Sequence, residues 1–321
     1  QIMKYIIYIF LFFYLTSAAQ QTGQYTQFTF NSYGNNPAAA GSNINGKLEV
    51  ITGLRKQWIG FDYAPASNFI SANYTFKPER SYKRWHNAGV YLSQEKAGIF
   101  QNIGLYGSYT LHLPITTKYT MSFGVFAGVK RFALARGTIS ESDPVYAATY
   151  PSYFYAYPDF IPGIRIYNKK MFFDLSVQQI FKVRQVQGDK QIGNKSVLTP
   201  QLYLSYGKRL FMDNGFTVVP AIHIHSSFIN IPSLELNVMA YYRKRIGVGA
   251  TIRNKDFISG IMQIRIWQNV TAGFAYDYSI NRINSAATNS LEFMIGVTPM
   301  FTSMGLDKGR RNVAKCPNFD F

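Results

Sequence analysis

The chain has 321 residues, of which 47% are hydrophobic, 17% aromatic and only 15% charged, with a formal net charge of +17 and a single cysteine, Cys316. One cysteine excludes a disulfide scaffold and a zinc–cysteine centre, and 24 Tyr with 26 Phe supply far more aromatic surface than a disordered chain carries. A polytopic helical membrane protein is excluded too, because each helical span takes about 18 apolar residues and the one long apolar run lies at the N-terminus.

That run has the anatomy of a secretory signal peptide. Met3-Lys4 is a short basic start, Tyr5 to Leu15 is apolar, and Ser17-Ala18-Ala19 places small residues ahead of a cut before Gln20. Residues 1–19 are therefore read as a leader, and the mature chain is expected to work outside the cytoplasm. Export argues against a nucleic-acid partner in spite of the basic charge. Residues 20–46 are rich in Gln, Asn, Gly and Ala and are expected to form a periplasmic lead-in or partial plug.

Residues 47–301 alternate with period two. In Ile70-Ser71-Ala72-Asn73-Tyr74-Thr75-Phe76 the even positions are apolar and the odd ones polar. Leu234, Leu236 and Val238 alternate with Glu235 and Asn237, and Leu291, Phe293 and Ile295 alternate with Glu292, Met294 and Gly296. A soluble sandwich has the same period, but two further features favour a barrel. About fourteen strands are predicted, starting near residues 47, 67, 85, 101, 118, 158, 170, 198, 215, 231, 246, 256, 270 and 287. Mostly tight turns follow the even-numbered strands, whereas several odd-numbered ones precede long connections at about 55–66, 133–157 and 181–197.

Charge placement is the second feature. The predicted strand bodies hold Lys47, Lys77, Lys118, Arg165 and Arg265 against Glu49, Asp174, Glu235, Asp277 and Glu292, and the remaining charge of the mature chain falls in turns, loops and the tail. A charge on the lipid face costs about 2–4 kcal/mol at the bilayer midplane, so a sparse, balanced, inward-facing set is what a barrel demands. The fold expected is an all-β, antiparallel, up-and-down outer-membrane barrel in contact with outer-membrane lipid, with both termini periplasmic. Residues 302–321 form a basic tail holding Lys308, Arg310, Arg311, Lys315 and Cys316. That tail and the Arg243-Lys244-Arg245 turn are either a solvated rim or a dock for acidic partners or lipid headgroups.

No motif points to an enzyme, a cofactor or a metal. Gly41 to Lys47 fits the first seven places of a phosphate-binding loop, but Leu48 stands where Ser or Thr is required and strand follows instead of helix. His223 and His225 share a strand face without a nearby third ligand. Nothing singles out a Ser–His pair for nucleophilic hydrolysis. The aromatic residues Tyr146, Tyr150, Tyr153, Phe154, Tyr155 and Tyr157 fall in the 133–157 connection, as a surface recognition loop or a cover over the barrel mouth.

Several motifs occur in a telling order. Gln24-Tyr25-Thr26-Gln27-Phe28-Thr29-Phe30-Asn31 is followed by Asn36-Pro37-Ala38-Ala39-Ala40-Gly41. Next come Arg55-Lys56-Gln57-Trp58-Ile59-Gly60-Phe61 with Ala64-Pro65, then Asn87-Ala88-Gly89-Val90, and near the end Lys315-Cys316-Pro317. This series resembles the PorP/SprF family of type IX secretion system outer-membrane proteins of Bacteroidetes, with Thr29 and Ala39 departing from its usual Met and Tyr. The resemblance implies a non-enzymatic barrel that assists secretion or surface attachment of large adhesins carrying a type IX sorting domain. It also implies partners among the other secretion or gliding-motility components. Its signature residues here are Asn36, Pro37, Gly41, Arg55, Gln57, Trp58, Gly60 and Phe61. Physically, the glycines suit turns or close backbone approach, Trp58 and Phe61 are expected to bury their rings, and Arg55 to meet a buried carboxylate or carbonyl. The rival reading is an outer-membrane pore for small solutes.

Overall fold

A computed structural model describes residues 23–42, 48–76, 84–134, 154–181, 186–187, 190–191, 199–227, 232–254, 256–267, 269–280 and 289–298. The leader, the basic tail with Cys316, and Tyr146, Tyr150 and Tyr153 lie outside the described residues. Fourteen strands close an antiparallel barrel: β1 Leu48–Lys56, β2 Ala66–Phe76, β3 Trp85–Ala97, β4 Phe100–Pro114, β5 Thr120–Leu134, β6 Phe154–Tyr167, β7 Met171–Gln178, β8 Gln201–Lys208, β9 Phe216–Ser226, β10 Ser233–Tyr242, β11 Ile246–Arg253, β12 Phe257–Trp267, β13 Val270–Ser279 and β14 Asn289–Val297. Each strand pairs with its sequence neighbours, and β14 returns to β1, so the sheet closes on itself. No helix among the described residues is long and apolar enough to cross a membrane.

The alternation has the inverted sense that lipid imposes. On β2, Ser71, Asn73 and Thr75 are buried while Ile70, Tyr74 and Phe76 are exposed. On β10, Glu235 and Asn237 are buried while Leu236 and Val238 are 44% and 50% exposed. A soluble protein would turn these faces the other way; here the polar face lines the lumen.

Three pairs of inward charges are matched strand to strand. Arg55 stands directly across the β1–β14 seam from Glu292, Arg165 across β6–β7 from Asp174, and Glu235 across β10–β11 from Arg253. A one-residue slip would send each of these groups to the lipid face, so the pairs help fix the register. The set differs from the sequence expectation. Lys118 lies in the 115–119 turn, while Arg55, Lys56, Glu95, Lys96, Lys130, Arg131, Asp159, Lys208 and Arg253 fall within the strands; Lys47 and Lys77 lie outside the described residues.

The connections 57–65, 135–153, 179–200 and 280–288 all leave from one rim, whereas 115–119, 168–170, 243–245 and 268–269 turn tightly at the other. At the long-connection rim 98–99 and 254–256 are also short. One boundary differs in a way that matters. β6 begins at Phe154, so Phe154, Tyr155 and Tyr157 are strand residues and not loop residues, and Tyr157 is buried inside the barrel. Pro158 hides this start, since proline ordinarily marks a strand's limit. It is tolerated because β6 pairs with β7 only over Gly163–Tyr167, leaving the upper part of β6 bonded on one side, to β5.

Residues 23–42 lie within the lumen. Asn31 caps a single helical turn, Ser32–Asn35, and Asn36 caps a 3-10 turn, Pro37–Ala39. The Asn-Pro pair dictates the second turn. Asn36 is held extended ahead of proline, its side-chain oxygen accepts from the Ala38 N–H at 2.9 Å, and Pro37 occupies the first helical position, where no N–H is needed. The segment does not stay at the rim where β1 begins: it runs from Ser42 near the short-turn rim to Gly23 near the long-connection rim.

Candidate functional site

The lumen is where this chain concentrates its chemistry. Two short helical turns leave most of their carbonyls without an internal partner, and the barrel wall supplies donors in sequence. Ser176 Oγ donates to the Asn35 carbonyl at 2.6 Å, Thr110 Oγ1 to Pro37 at 2.8 Å and Ser122 Oγ to Ala38 at 2.7 Å. His112 Nε2 donates to Ala40 at 2.8 Å and Trp85 Nε1 to Gly41 at 3.2 Å. These residues come from β3, β4, β5 and β7, and each is an inward position of a polar-alternating strand. The wall also makes room. A Cβ on Gly124 would come within 2.3 Å of the Ala38 nitrogen, and one on Gly163 within 1.9 Å of Asn36 Oδ1, so at both positions the 3-10 turn packs where only glycine fits.

Two ionic nodes anchor the segment. In the first, Arg55 reaches Asp277 at 2.6 Å and Glu292 at 3.0 Å, with all three side chains essentially inaccessible. One guanidinium facing two carboxylates leaves negative charge in excess, and the segment meets it. The backbone N–H groups of Thr26 and Gln27 donate to Glu292 at 2.7 and 2.9 Å, Thr26 Oγ1 donates to Asp277 at 3.0 Å, and Arg55 donates to Thr26 Oγ1 at 2.7 Å. The Phe257 ring carries this node to the Glu235–Arg253 pair, lying 5.7 Å from the Arg55 guanidinium and 4.3 Å from that of Arg253. In the second node Arg165 lies 3.1 Å from Asp174 and donates to Ser42 Oγ at 2.9 Å, while Asn36 Nδ2 donates to Asp174 at 3.1 Å and to the Ile164 carbonyl at 3.0 Å.

Between the nodes the contact is apolar. Tyr25, Phe30, Tyr33 and Ala40 join Ile51, Phe69, Tyr91, Tyr106, Phe126, Ile161 and Met294 of the wall in one buried cluster. Tyr25 meets Phe69 edge-on at 5.0 Å, and Tyr33 meets Phe126 at 4.9 Å. Tyr33 is bonded to Ser108 at 2.6 Å. Above this cluster, toward the long-connection rim, is a cavity of about 60 Å3, room for a few water molecules, bordered by Gly23, Tyr91, Glu95, Tyr106, Lys130 and Tyr203.

The signature residues divide between two places. Asn36, Pro37, Gly41 and Arg55 lie inside the barrel, and Arg55 meets carboxylates there. Gln57, Trp58, Gly60 and Phe61 lie in the 57–65 connection, tied to β14 by Ile59 N–H donating to the Asn289 carbonyl at 2.9 Å. Gly41 and Gly60 have φ of 70° and 98°, consistent with turns. Trp58 is half-buried, but Phe61 is 50% exposed, correcting the expectation that both rings are buried. The 57–65 connection is held chiefly through its backbone, which leaves the Phe61 ring outside.

His223 and His225 both face inward and are engaged as structural groups. His223 Nδ1 is bonded to Ser205 Oγ at 2.8 Å and its ring stacks on Phe28, while His225 is bonded to Gln201 at 2.6 Å and to Gln24. Among the described residues no three His, Cys, Asp or Glu side chains converge as a metal site. Sequence reasoning reached Arg55 but not the wall donors Thr110, His112, Ser122 and Ser176. Their polar identity at inward positions was the available signal, and it does not say what they bind.

The family model described as type IX secretion system membrane protein PorP/SprF matches residues 17–297. Among solved structures, the chain is similar to the Ralstonia pickettii toluene transporter TbuX, with 12% identity over 88% of this chain and 94% of that one and a TM-score of 0.51. The Pseudomonas putida toluene transporter TodX gives 11% identity, 88% and 94% coverage and a TM-score of 0.47. The Acinetobacter baumannii outer membrane protein Omp33 gives 11%, 80% and 100%, with 0.44. At these identities the first likeness bears on the barrel fold alone. No curated protein matches the sequence.

Proposed function

Since this chain belongs to the PorP/SprF family of type IX secretion system membrane proteins, we propose that it is a non-enzymatic outer-membrane barrel that assists secretion, or surface attachment, of large adhesin-like proteins carrying a type IX sorting domain. Its direct partners are then that cargo, other secretion or gliding components and outer-membrane lipid. The long-connection rim faces the cell exterior in this reading, because outer-membrane barrels place longer loops outside and short turns in the periplasm. Phe154, Trp58 and Phe61 would then stand at the outer rim.

The observation that carries the proposal beyond family membership is the occupied lumen. Residues 23–42 are fixed by two ionic nodes and a run of wall hydrogen bonds, an arrangement that suits a barrel acting through its rims and not through a continuous channel. A second reading, passage of small solutes, draws on the fold likeness to a toluene transporter; it requires the inner segment to leave or shift.

A tagged chain purified from its native outer membrane in gentle detergent, with co-purifying proteins identified by mass spectrometry, tests the proposal. Recovery of a sorting-domain adhesin or secretion-channel components is expected. A barrel recovered alone that conducts ions in planar bilayers would favour the solute pore.

A further inference from the structure

We propose that residues 23–42 thread the lumen from the outer mouth to the inner rim, so that the processed N-terminus is displayed at the cell surface while β14 ends at the periplasmic side. The inference rests on the leader and orientation readings above and adds to them a route for the chain.

The contacts of the segment fix its direction. Gly23 N–H donates to Glu95 Oε1 at 3.0 Å, and a Cβ on Gly23 would meet Ser67 Oγ at 2.5 Å. Glu95 lies near the end of β3 and Ser67 at the start of β2, both at the long-connection rim. Gln24 is bonded to His225, near the end of β9 on the same rim. At its other end, Gly41 accepts from Trp85, the first residue of β3, and Ser42 accepts from Arg165, near the end of β6, both at the short-turn rim. The segment therefore runs through the lumen from one rim to the other, and β1 starts where it finishes.

Chain length then decides where the N-terminus lies. From Trp85 to Glu95 the β3 strand rises about 33 Å at ~3.3 Å per residue, or roughly 25 Å along the barrel axis at a tilt near 40°. With cleavage before Gln20, only Gln20, Gln21 and Thr22 precede Gly23, and they reach at most about 10 Å. That is less than half the return distance, through a lumen the segment already occupies. The chain end must lie at the mouth beside Glu95 and His225. Any partner that grips it does so from outside the cell.

Single-cysteine variants of the full chain, made with Cys316→Ser, test this in intact cells with a membrane-impermeant maleimide. Asp62→Cys marks the outer connection 57–65 and Thr117→Cys the short turn 115–119. Thr22→Cys is expected to label with Asp62→Cys, at least about tenfold faster than Thr117→Cys, with no need for outer-membrane permeabilisation. Labelling of Thr22→Cys only together with Thr117→Cys overturns the proposal, as does no labelling where Asp62→Cys reacts. Exchange of behaviour between the two markers shows that the orientation is what fails. An intact mass that includes residues 1–19 shows that the leader reading fails. Either result removes the surface-displayed N-terminus without bearing on which proteins co-purify.

Discussion

Replacing Arg55 by methionine removes the cation of a node in which Asp277 and Glu292 have side-chain exposures of 3% and 0%. Methionine keeps the length and apolar stem but leaves two carboxylates buried within reach of one another. Breaking a buried pair by removing one partner costs about 3–5 kcal/mol. The donors from Thr26 and Gln27 soften the loss without replacing a charge. At roughly 2–4 °C per kcal/mol for a domain of about 150–250 residues, Arg55→Met is expected to lower the unfolding midpoint by about 6–20 °C. The temperature-dependent mobility shift of the folded barrel in detergent gels reads this directly. The penalty comes from uncompensated charge, so the triple variant Arg55→Met, Asp277→Asn, Glu292→Gln should recover at least half of the loss. A single variant melting within about 2 °C of the parent, or a triple variant no better than the single, would show that uncompensated buried charge is not the source of the penalty.

Three further outcomes follow from the same geometry. Gly124→Val places side-chain atoms against the backbone of Pro37 and Ala38, and should raise proteolysis of residues 23–42 in the folded barrel severalfold while leaving the barrel's heat-modifiable band intact. Asn36→Ala deletes the 3-10 cap and the donors to Asp174 and Ile164; at about 1 kcal/mol net per bond it should cost roughly 2–3 kcal/mol, read as a lower midpoint. Val238→Arg puts a charge on the lipid face of β10, where Val238 is 50% exposed, and should reduce folding into vesicles by about 2–4 kcal/mol. Asn237→Ser on the lumen side should stay within about 1 kcal/mol, because the hydroxyl can still bond Thr251.

Much of this architecture was legible in the sequence. Fourteen strands, their order and most of their starts follow from period-two alternation such as Ile70 to Phe76, because a lipid-facing row and a lumen-facing row must interleave. The exception, β6, shows what periodicity cannot carry. Pro158 reads as the strand's limit, and only the lack of a β7 partner beside the upper strand makes it acceptable inside β6. The node around Arg55 was half legible. The sequence reading left Arg55 at the edge of the 55–66 connection with a buried carboxylate or carbonyl as its partner, but which carboxylates meet it depends on β14 closing onto β1, a pairing some 240 residues apart in sequence. The lead-in was harder still. Its Gln, Asn, Gly and Ala composition says that it builds no core of its own. That it crosses the lumen becomes apparent only when Thr110, His112, Ser122 and Ser176 are seen to point at its carbonyls.

In the proposed role this barrel holds and docks, with its lumen closed by its own chain. Single-channel recording of the full-length protein in planar bilayers, beside a variant lacking residues 23–42, tests it most directly. A silent parent and a conducting deletion are predicted. Steady conductance from the unaltered chain, equal to that of the deletion, would contradict the claim and return the protein to the class of solute pores.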